Sequence, residues 1–341
     1  MRVKELLALG EKQLRECGID DAETDSKLLY CFLRNIPRSR LILEYQIVLQ
    51  DQHCEHYFRL LDERCAGRPL QYIVGTQDFM GLTFKVNESV LIPRMDTEIL
   101  VENALSVIDE NKLNGNDLAL SPRKSWDVLD LCTGSGAIAV SVAKLAKTPV
   151  KVCASDISEE ALSVAKTNGE RNRVQVEFQQ GDLLDPWQGR FRKRKFDMII
   201  SNPPYVRTAE IGRLQREIRE HEPVLALDGG GDGLDLYRRI AVKAPEFLKK
   251  QGVLMMEIGW DQREDVTRLL ESAGKFEQIT CVKDLARLDR VIFAVLREPD
   301  CAGKAAGGME NRMRIAPEPA VGSRRKPLTT ADLNGKLTRL Q

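Results

Sequence analysis

Histidine, tryptophan and net charge are all scarce in this chain. It has 3 His and 3 Trp in 341 residues, and its 51 Lys and Arg are balanced by 51 Asp and Glu. A zero formal charge excludes a bulk electrostatic footprint for nucleic acid or an anionic membrane, although a small basic site would leave that total unchanged. Too few histidines remain for a His-rich metal centre. The run "HCEH" (His53, Cys54, Glu55, His56) puts only His53 and His56 on one helix face, and the third histidine is His221. A solvated face is expected there, and no metal, because closed zinc sites take four ligands. Cysteine pairs of the C-x-x-C kind are absent too. The 8 cysteines (Cys17, Cys31, Cys54, Cys65, Cys132, Cys153, Cys281, Cys301) are scattered through the chain. The start, "MRVKELLALGEKQLREC", is amphipathic and charged, unlike a secretory leader, so free thiols in a reducing cytoplasm are expected. No apolar run approaches the length that crosses a bilayer.

What is present suffices for real cores. Apolar residues make up 43% of the chain, and its length accommodates about two domains. Residues 1–70 read as a small helical domain. "VKELLALGEKQLREC" has helical apolar spacing and stops at Gly18, "DDAETDSKLLYCFLRNIP" has acids in its first turn, and "DQHCEHYFRLLDERCAG" runs to a Gly67 cap. In residues 71–94 the character changes. Alternating β-branched and aromatic residues around Gly75 and Gly81 predict a β-hairpin linker, with the apolar–polar pattern starting at Pro69. Residues 95–297 form the main domain, opening with the helix "DTEILVENALSVIDE". Residues 298–341 lack periodicity and are rich in Gly, Ala, Pro and charge, which predicts a disordered tail. Within it "TTADLNGKLTRLQ" could cap a short helix at Thr329, but a solvated tail is expected.

From Trp126 the rhythm is strand, helix, strand. The strands are "WDVLDL", "VKVCASD", "VQVEFQQ", "FDMIIS", "GVLMMEIG", "FEQITCV" and "RVIFAVL", and helical stretches follow most of them. This alternation specifies an α/β fold with a mostly parallel sheet covered on both faces. The last two strands follow each other closely, so the final one should run antiparallel at or near an edge.

"VLDLCTGSGAIAV" sets Gly134 and Gly136 directly after the first strand. Glycine there lets the backbone approach a ligand while the next helix presents its N-terminus. Asp156 ends the next strand, spaced to accept both hydroxyls of a ribose. The glycine pattern alone is weak, but with strand, helix and spaced acid it points to a nucleotide-like ligand. Asp130, just before the glycines, would repel a pyrophosphate and attract the ammonium and sulfonium of S-adenosylmethionine. Its structural alternative is a helix cap. Asp182 in "QGDLL" could accept from an adenine amino group and Leu183 could cover the ring, or Leu183 is plain core. Trp187, beyond Pro186, reads as a loop anchor.

"SNPPYV" (201–206) ends the fourth strand. Proline cannot donate to a sheet ladder, so the strand stops at Asn202, which its following proline holds extended. Ligands of doubly wound sheets bind at the carboxyl ends of strands, near the switch in strand order. Asn202 there would face a cofactor methyl group. Its side-chain carbonyl and the backbone carbonyl of Pro203 can each accept one N–H of a planar NH2 group, and the ring of Tyr205, an exposed aromatic, can stack on that group.

Residues 1–297 resemble the HemK/PrmC family of protein-(glutamine-N5) methyltransferases. The matching segments are "RPLQYIVG", "LIPRMDTEILVE", "VLDLCTGSGAIAV", "SNPPYV", "EPVLALDGGGDGLDLYRRI" and "EIGWDQ". The resemblance implies a class I S-adenosylmethionine-dependent methyltransferase, Rossmann-like with a seven-strand sheet, behind a helical substrate-recognition domain. It implies that Cys132, Thr133, Gly134, Ser135, Gly136, Asp156, Asp182, Leu183 and Asn202 bind S-adenosyl-L-methionine. It also implies that Asn202, Pro203, Pro204 and Tyr205 hold a substrate glutamine, with Asn202, Pro203 and Tyr205 catalytic. The implied partners are class-1 peptide chain release factors, methylated on the GGQ glutamine in the cytoplasm, which modulates translation termination. A monomer without stable nucleic-acid binding is expected. Two residues depart from the family pattern: Met95 stands where proline is usual, and Cys132 where glycine is commonest.

Two rival readings differ in class. An adenine or guanine amino methyltransferase uses the same Asn-Pro-Pro-Tyr, but it would need a larger basic surface and must flip its base. A non-catalytic nucleotide-binding or dehydrogenase-like module leaves the prolines unexplained. The basic run "GRFRKRK" (189–195) is expected to be a solvated excursion.

Overall fold

The computed structural model describes residues 1–189 and 193–298. The expected tail beyond residue 298, Cys301 and the centre of "GRFRKRK" lie outside the described residues. Three long helices build the N-terminal part: α1 (Val3–Glu16), α2 (Ala22–Arg34) and α3 (Asp51–Cys65). Their apolar stripes meet in one core around Leu6, Leu14, Leu29, Tyr57 and Leu61. Asn35 ends α2 in the left-handed conformation, where Asn is tolerated because its short polar side chain bonds locally.

Free thiols were expected throughout, and one pair contradicts this. Cys17 and Cys65 are joined as a disulfide, with Cα atoms 5.5 Å apart across 48 residues of sequence. The packing supplies the reason: α1 and α3 end side by side, and Gln13 Nε2 donates to Asp62 Oδ1 at 2.8 Å. Sequence spacing carries no trace of that approach. Cys31, Cys54, Cys132, Cys153 and Cys281 are free.

The linker also differs from expectation at its start. Leu70–Val74 is a short helix, opened at Pro69 and stopped by Gly75 at φ +74°, and it buries Leu70, Tyr72 and Ile73. The hairpin proper pairs Thr76–Phe79 with Leu82–Lys85, antiparallel. Tyr72 then donates its hydroxyl to the carbonyl of Val90 at 2.6 Å, which folds the irregular stretch after the hairpin back over the helix.

The main domain begins with α4 (Met95–Glu110) and continues into seven sheet strands. They are β1 (Trp126–Leu131), β2 (Val150–Asp156), β3 (Val176–Gln180), β4 (Phe196–Ser201), β5 (Leu248–Glu257), β6 (Phe276–Lys283) and β7 (Asp289–Leu296). Spatial order is β6-β7-β5-β4-β1-β2-β3. Six strands point the same way, β1 to β5 pairing in parallel, and β7 alone is antiparallel to both its neighbours, one position in from the edge. Alternate residues feed opposite cores, as the two-residue period requires. Val128, Met198, Ile200, Val253 and Met255 pack with α4 and α5 (Ala137–Leu145), while Leu129, Ile199, Leu254 and Met256 pack with α7 (Asp235–Lys243) and α8 (Arg263–Ala273). Between them, α6 (Glu159–Arg171) covers β2 and β3. Among the described residues no helix is long and apolar enough to cross a membrane.

Trp187 is the loop anchor expected of it, buried and edge-on to Phe196 at 5.7 Å. The basic run is less solvated than expected where it is described. Arg194 pairs with Glu177 at 2.5 Å and lies over both the Trp187 and Phe196 rings.

One buried ion cluster ties the helical part to the main domain. Arg64, at the end of α3, donates to Asp25 at 2.7 Å and contacts Glu217 of the short helix Arg216–His221 at 2.8 Å. Burial pushes the Asp25 carboxyl up, and Arg64 opposes it. Arg64→Ala would leave that carboxylate buried without its cation, so it should cost about 3 kcal/mol of unfolding free energy. Replacing Arg64 and Asp25 together with Leu should cost less. Urea titration of the three proteins checks this, and equal stability of wild type and Arg64→Ala would contradict it.

Candidate active site

At the carboxyl edge of β1, β2 and β4 lies a cleft of ≈ 570 Å³. Its position follows from strand order, since β1 is paired with both β2 and β4, and the connections from its two neighbours leave in opposite directions. The level of the floor is set by Leu131 and Ser201, which are register partners, and the Ser201 hydroxyl donates to the Leu131 carbonyl at 2.9 Å.

Beyond Leu131 the chain makes a tight loop into α5. Cys132, Gly134 and Gly136 all have positive φ, at 57°, 53° and 79°. At Gly136 a Cβ would also stand 3.1 Å from Ala165 on α6, so close packing adds to the conformation that favours glycine there. Cys132 accepts the left-handed strain without a glycine, at the position where glycine is commonest in the resembling family. At Gly134 no heavy atom lies within 4 Å of where a Cβ would stand, so its open side faces the cleft. Asn168, fully buried on α6, locks this loop to the hairpin: its Nδ2 donates to the carbonyls of Ser135 and Lys85, and its Oδ1 accepts from Lys85 N.

Asp156 stands where the sequence placed it, at the end of β2 on the cleft wall. Its Oδ2 accepts from Gly134 N at 2.8 Å and its Oδ1 from Ser158 N at 3.0 Å. Burial raises its pKa against those two bonds. Asp130 is different. It is fully buried, its Oδ2 accepts from the Thr133 hydroxyl at 2.6 Å and Ala139 N at 3.2 Å, and it does not line the cleft. The cap alternative is therefore what the structure contains, and an ammonium-attracting wall at Asp130 is not. Its other oxygen finds no hydrogen-bond partner among the described residues, and burial pushes its pKa up to about 7.

Asp182 and Leu183 follow β3 and both line the cleft. Leu183 has φ 50° and is almost fully buried, with its carbonyl accepting from the Ser155 hydroxyl at 2.9 Å. Asp182 pairs with Arg239 of α7 at 2.5 Å.

Asn202 lines the same cleft from β4, opposite Cys132 to Ser135. Its Nδ2 donates to the Thr97 hydroxyl oxygen at 3.1 Å. Pro203 is buried and Pro204 lines the cleft. Tyr205 departs from the sequence reading, for it is half-buried rather than exposed and absent from the cleft wall. Its hydroxyl donates inward to Glu257 Oε1 at 3.3 Å because the loop packs onto the end of β5. The loop is held from behind. Gln262 Nε2 donates to the carbonyls of Tyr205 and Gly233, and its Oε1 accepts from Gly259 N. At Gly229 a Cβ would lie 2.7 Å from the Tyr205 Cα and 2.9 Å from the Pro204 carbonyl, so only glycine fits.

The structure thus gathers Cys132, Thr133, Gly134, Ser135, Asp156, Asp182, Leu183, Asn202 and Pro204 on one cleft, and leaves Gly136, Pro203 and Tyr205 behind its surface. Sequence reasoning missed Thr97, Glu257, Gln262 and the pair Arg94–Glu222. Each sits in a segment that carries the resemblance, with no spacing that announces a partner. Glu222 is buried, accepts from Ile92 N at 3.2 Å and pairs with Arg94.

Asp130 makes stability depend on pH. The folded chain keeps its proton up to about pH 7, whereas the unfolded carboxyl has an ordinary value of 3.8. Between those values the folded state binds more protons, so stability falls as pH rises through the window and levels off above it. Glu257, also pushed to about 7 by burial, adds a parallel slope. Asp130→Asn should remove roughly half of this decline, on the order of 3 kcal/mol. Urea midpoints of both proteins between pH 4.5 and 8 check it; an unchanged slope in the variant would contradict it.

Residues 5–75 match the family described as PrmC N-terminal domain, and residues 118–285 match the Methyltransferase small domain. A release factor glutamine methyltransferase of Clostridium acetobutylicum is 39% identical over 298 residues, covering 86% of this chain and 99% of that protein. One from Moorella thermoacetica is 38% identical, covering 85% and 98%, and one from Bacillus subtilis is 36% identical, covering 86% and 98%. With the seven-stranded, mostly parallel sheet, these matches place the chain in the release factor glutamine methyltransferase family.

Proposed function

We propose that this chain transfers a methyl group from S-adenosyl-L-methionine to the side-chain amide nitrogen of a glutamine in class-1 peptide chain release factors, the GGQ glutamine. The observation that carries the reading is Asn202. Its amide is tethered through Nδ2 to Thr97 on the wall of the cleft that the Cys132–Ser135 loop also lines. The residues fit the cofactor: an open-sided Gly134 for close backbone approach, Asp156 with free lone pairs for a ribose, and Asp182 and Leu183 for an adenine edge and face. When bound, the cofactor supplies an electrophilic methyl on a sulfonium.

The chain's own residues supply position. A primary amide is a poor nucleophile because its lone pair is conjugated with its carbonyl. The Asn202 Oδ1 accepts one N–H from within the cleft, which holds the nitrogen in place and takes up charge that builds on its hydrogens, while Pro203, behind the cleft surface, stiffens the loop that carries it. The two prolines keep that acceptor from swinging away. The helical N-terminal part selects the protein substrate, since every cofactor-type residue lies after Trp126. This work takes place where release factors act, in the cytoplasm.

Single-turnover transfer of labelled methyl to a purified release factor, beside total RNA and DNA, tests the reading, with mass spectrometry locating the methyl. Asn202→Ala should lower the rate roughly 10²–10³-fold. Asn202→Asp should fall short of the wild type, because an added charge disturbs placement of a neutral amide. A wild-type rate in Asn202→Ala, or methyl found on nucleic acid, would overturn it. Calorimetry should show S-adenosylmethionine binding more tightly than nicotinamide dinucleotides. Asp156→Ala should weaken it by roughly 1.5–3 kcal/mol, as for lost hydrogen bonds to a charged group. An unchanged dissociation constant would remove Asp156 from the site.

A further inference from the structure

Trp260 stands in water where the other tryptophans do not. It is 55% exposed, whereas Trp126 and Trp187 are 3% and 2% exposed. A large ring left in solvent beside a site is characteristic of protein contacts, where tryptophan is enriched among the residues that carry binding energy. It lies on the turn Gly259 to Gln262 between β5 and α8, at the same edge of the sheet as the cleft. Strand order divides that edge in two. Asp182, Asp156 and the glycine loop follow β3, β2 and β1, Asn202 follows β4, and the turn follows β5. The cofactor-type residues take one half, and the ends of β5, β7 and β6 form the other. That half is grooved. Trp260 borders a depression of ≈ 770 Å³ walled by Arg263, Glu264 and Arg268 of α8 and by Asp289 of β7. Cations and acids are mixed there, with Arg263 3.7 Å from Asp289. Nucleic acid calls for a wall of positive charge, and a membrane surface for a broad apolar face. Mixed charge around one large ring suits a polypeptide instead, with an aromatic anchor and a polar rim.

The turn is tied to the loop that carries Asn202. Asp261 pairs with Arg207, two residues beyond Tyr205, at 2.8 Å. Gln262, 2% exposed, donates through Nε2 to the carbonyls of Tyr205 at 3.0 Å and Gly233 at 3.2 Å, and its Oε1 accepts from Gly259 N at 2.9 Å. One end of the turn therefore presents a ring to solvent while the other is bonded to the back of the proline loop. An anchor on such a mount sets where a bound chain sits relative to Asn202. We propose that Trp260 and the groove beside it are a docking surface for the release-factor polypeptide, on the far side of Asn202 from the cofactor and in addition to the helical N-terminal part. The inference rests on the methyl-transfer reading given above. It assigns the two halves of the sheet edge to the two reactants: cofactor over β1 to β3, protein substrate over β5 to β7, with Asn202 between them.

The test combines steady-state kinetics with fluorine magnetic resonance on the full chain. Trp260→Ala should raise the KM for a purified release factor at least about tenfold. Its kcat should stay within about threefold and its cofactor KM within about twofold, since the lost contact is made equally before and during transfer. Val242→Ala, at an exposed apolar residue of α7, should leave all three constants unchanged. An unchanged release-factor KM in Trp260→Ala, or an equal rise in Val242→Ala, would overturn the proposal. Incorporating 5-fluorotryptophan gives one signal for each of the 3 tryptophans, and that of Trp260 is identified by its loss in Trp260→Phe. Adding unlabelled release factor should move the Trp260 signal and leave the other two in place. A signal that stays put while transfer is saturated would overturn the docking surface alone. If the wild type transfers no methyl to the release factor yet the Trp260 signal moves, the methyl-transfer reading fails and the docking surface stands. Neither transfer nor movement would overturn both, as would movement with an RNA oligonucleotide in place of the release factor.

Discussion

The pairing of β1 with β4 is the constraint on which the rest depends. It sets Leu131 level with Ser201 and joins them through one side-chain hydrogen bond. Residues 70 apart in sequence therefore leave the sheet side by side, one strand turning into a glycine loop and the other into a proline-stiffened one. A shift of register by one residue would reverse every side chain on β4 and send Asn202 away from the cleft. That register is enforced from both faces, because Met198 and Ile200 fill one core while Phe196 and Ile199 fill the other. Burial of these side chains does more than hold the sheet together: it fixes where the reacting groups meet.

Around that junction the protein uses buried polar side chains as ties between backbone segments. Asn168 joins the hairpin to the glycine loop, Gln262 joins the proline loop to the Gly233 turn, and Glu222 joins the segment at Ile92 to its own loop. Each satisfies backbone groups that water would otherwise have to reach, which is what permits irregular chain to be packed tightly. The same economy explains the carboxylates. Asp156 accepts from two backbone amides on the cleft wall, Asp130 caps the loop beneath it, and Glu257 accepts the Tyr205 hydroxyl behind Asn202. Three acids near one cleft thus hold different positions because their donors differ, and their environments, rather than their residue type, separate wall from scaffold.

Much of this was legible in the sequence. Strand–helix alternation gave the sheet and the antiparallel last strand, because periodicity reports burial directly. The glycine loop, Asp156 and Asn202 were legible because each breaks a local rule at a strand end, where such breaks gather at ligand sites. The misses have a common cause. Asp130 looked like a ligand because its position is local information while its partners, Thr133 and Ala139, are set by how the loop closes. Tyr205 looked exposed because nothing in "NPPY" tells which way its ring turns. Thr97, Glu257 and Gln262 were quoted without roles, since their partners lie 105, 52 and 57 residues away. The Cys17–Cys65 link is the same kind of miss, across 48 residues. In the linker, Leu70–Val74 alternates like a strand but is closed into a helical turn by Pro69 and Gly75.

The linker also alters how the two parts of the chain relate. A hairpin that merely joined domains would touch neither the cleft nor the ion cluster. Here the stretch after it, through Val90, Leu91, Pro93 and Arg94, forms one wall of the cleft. Its neighbours reach back to the end of α3: Arg68 pairs with both Glu63 and Glu88, and Arg64, four residues earlier, holds Asp25 and Glu217. Glu222, on the segment just after Glu217, grips Arg94 and Ile92 in turn. The helical part is therefore fastened to two segments that both border the cleft, one before α4 and one after the proline loop. Isolated surface ion pairs would make this a weak fastening. The buried members, Arg64, Asp25 and Glu222, change that, because a buried charge separated from its partner is costly and resists gradual displacement. A protein substrate that bears on the helices must then be registered against the wall of the cleft itself, so recognition at one end and placement of an amide at the other are carried by the same short stretch of chain.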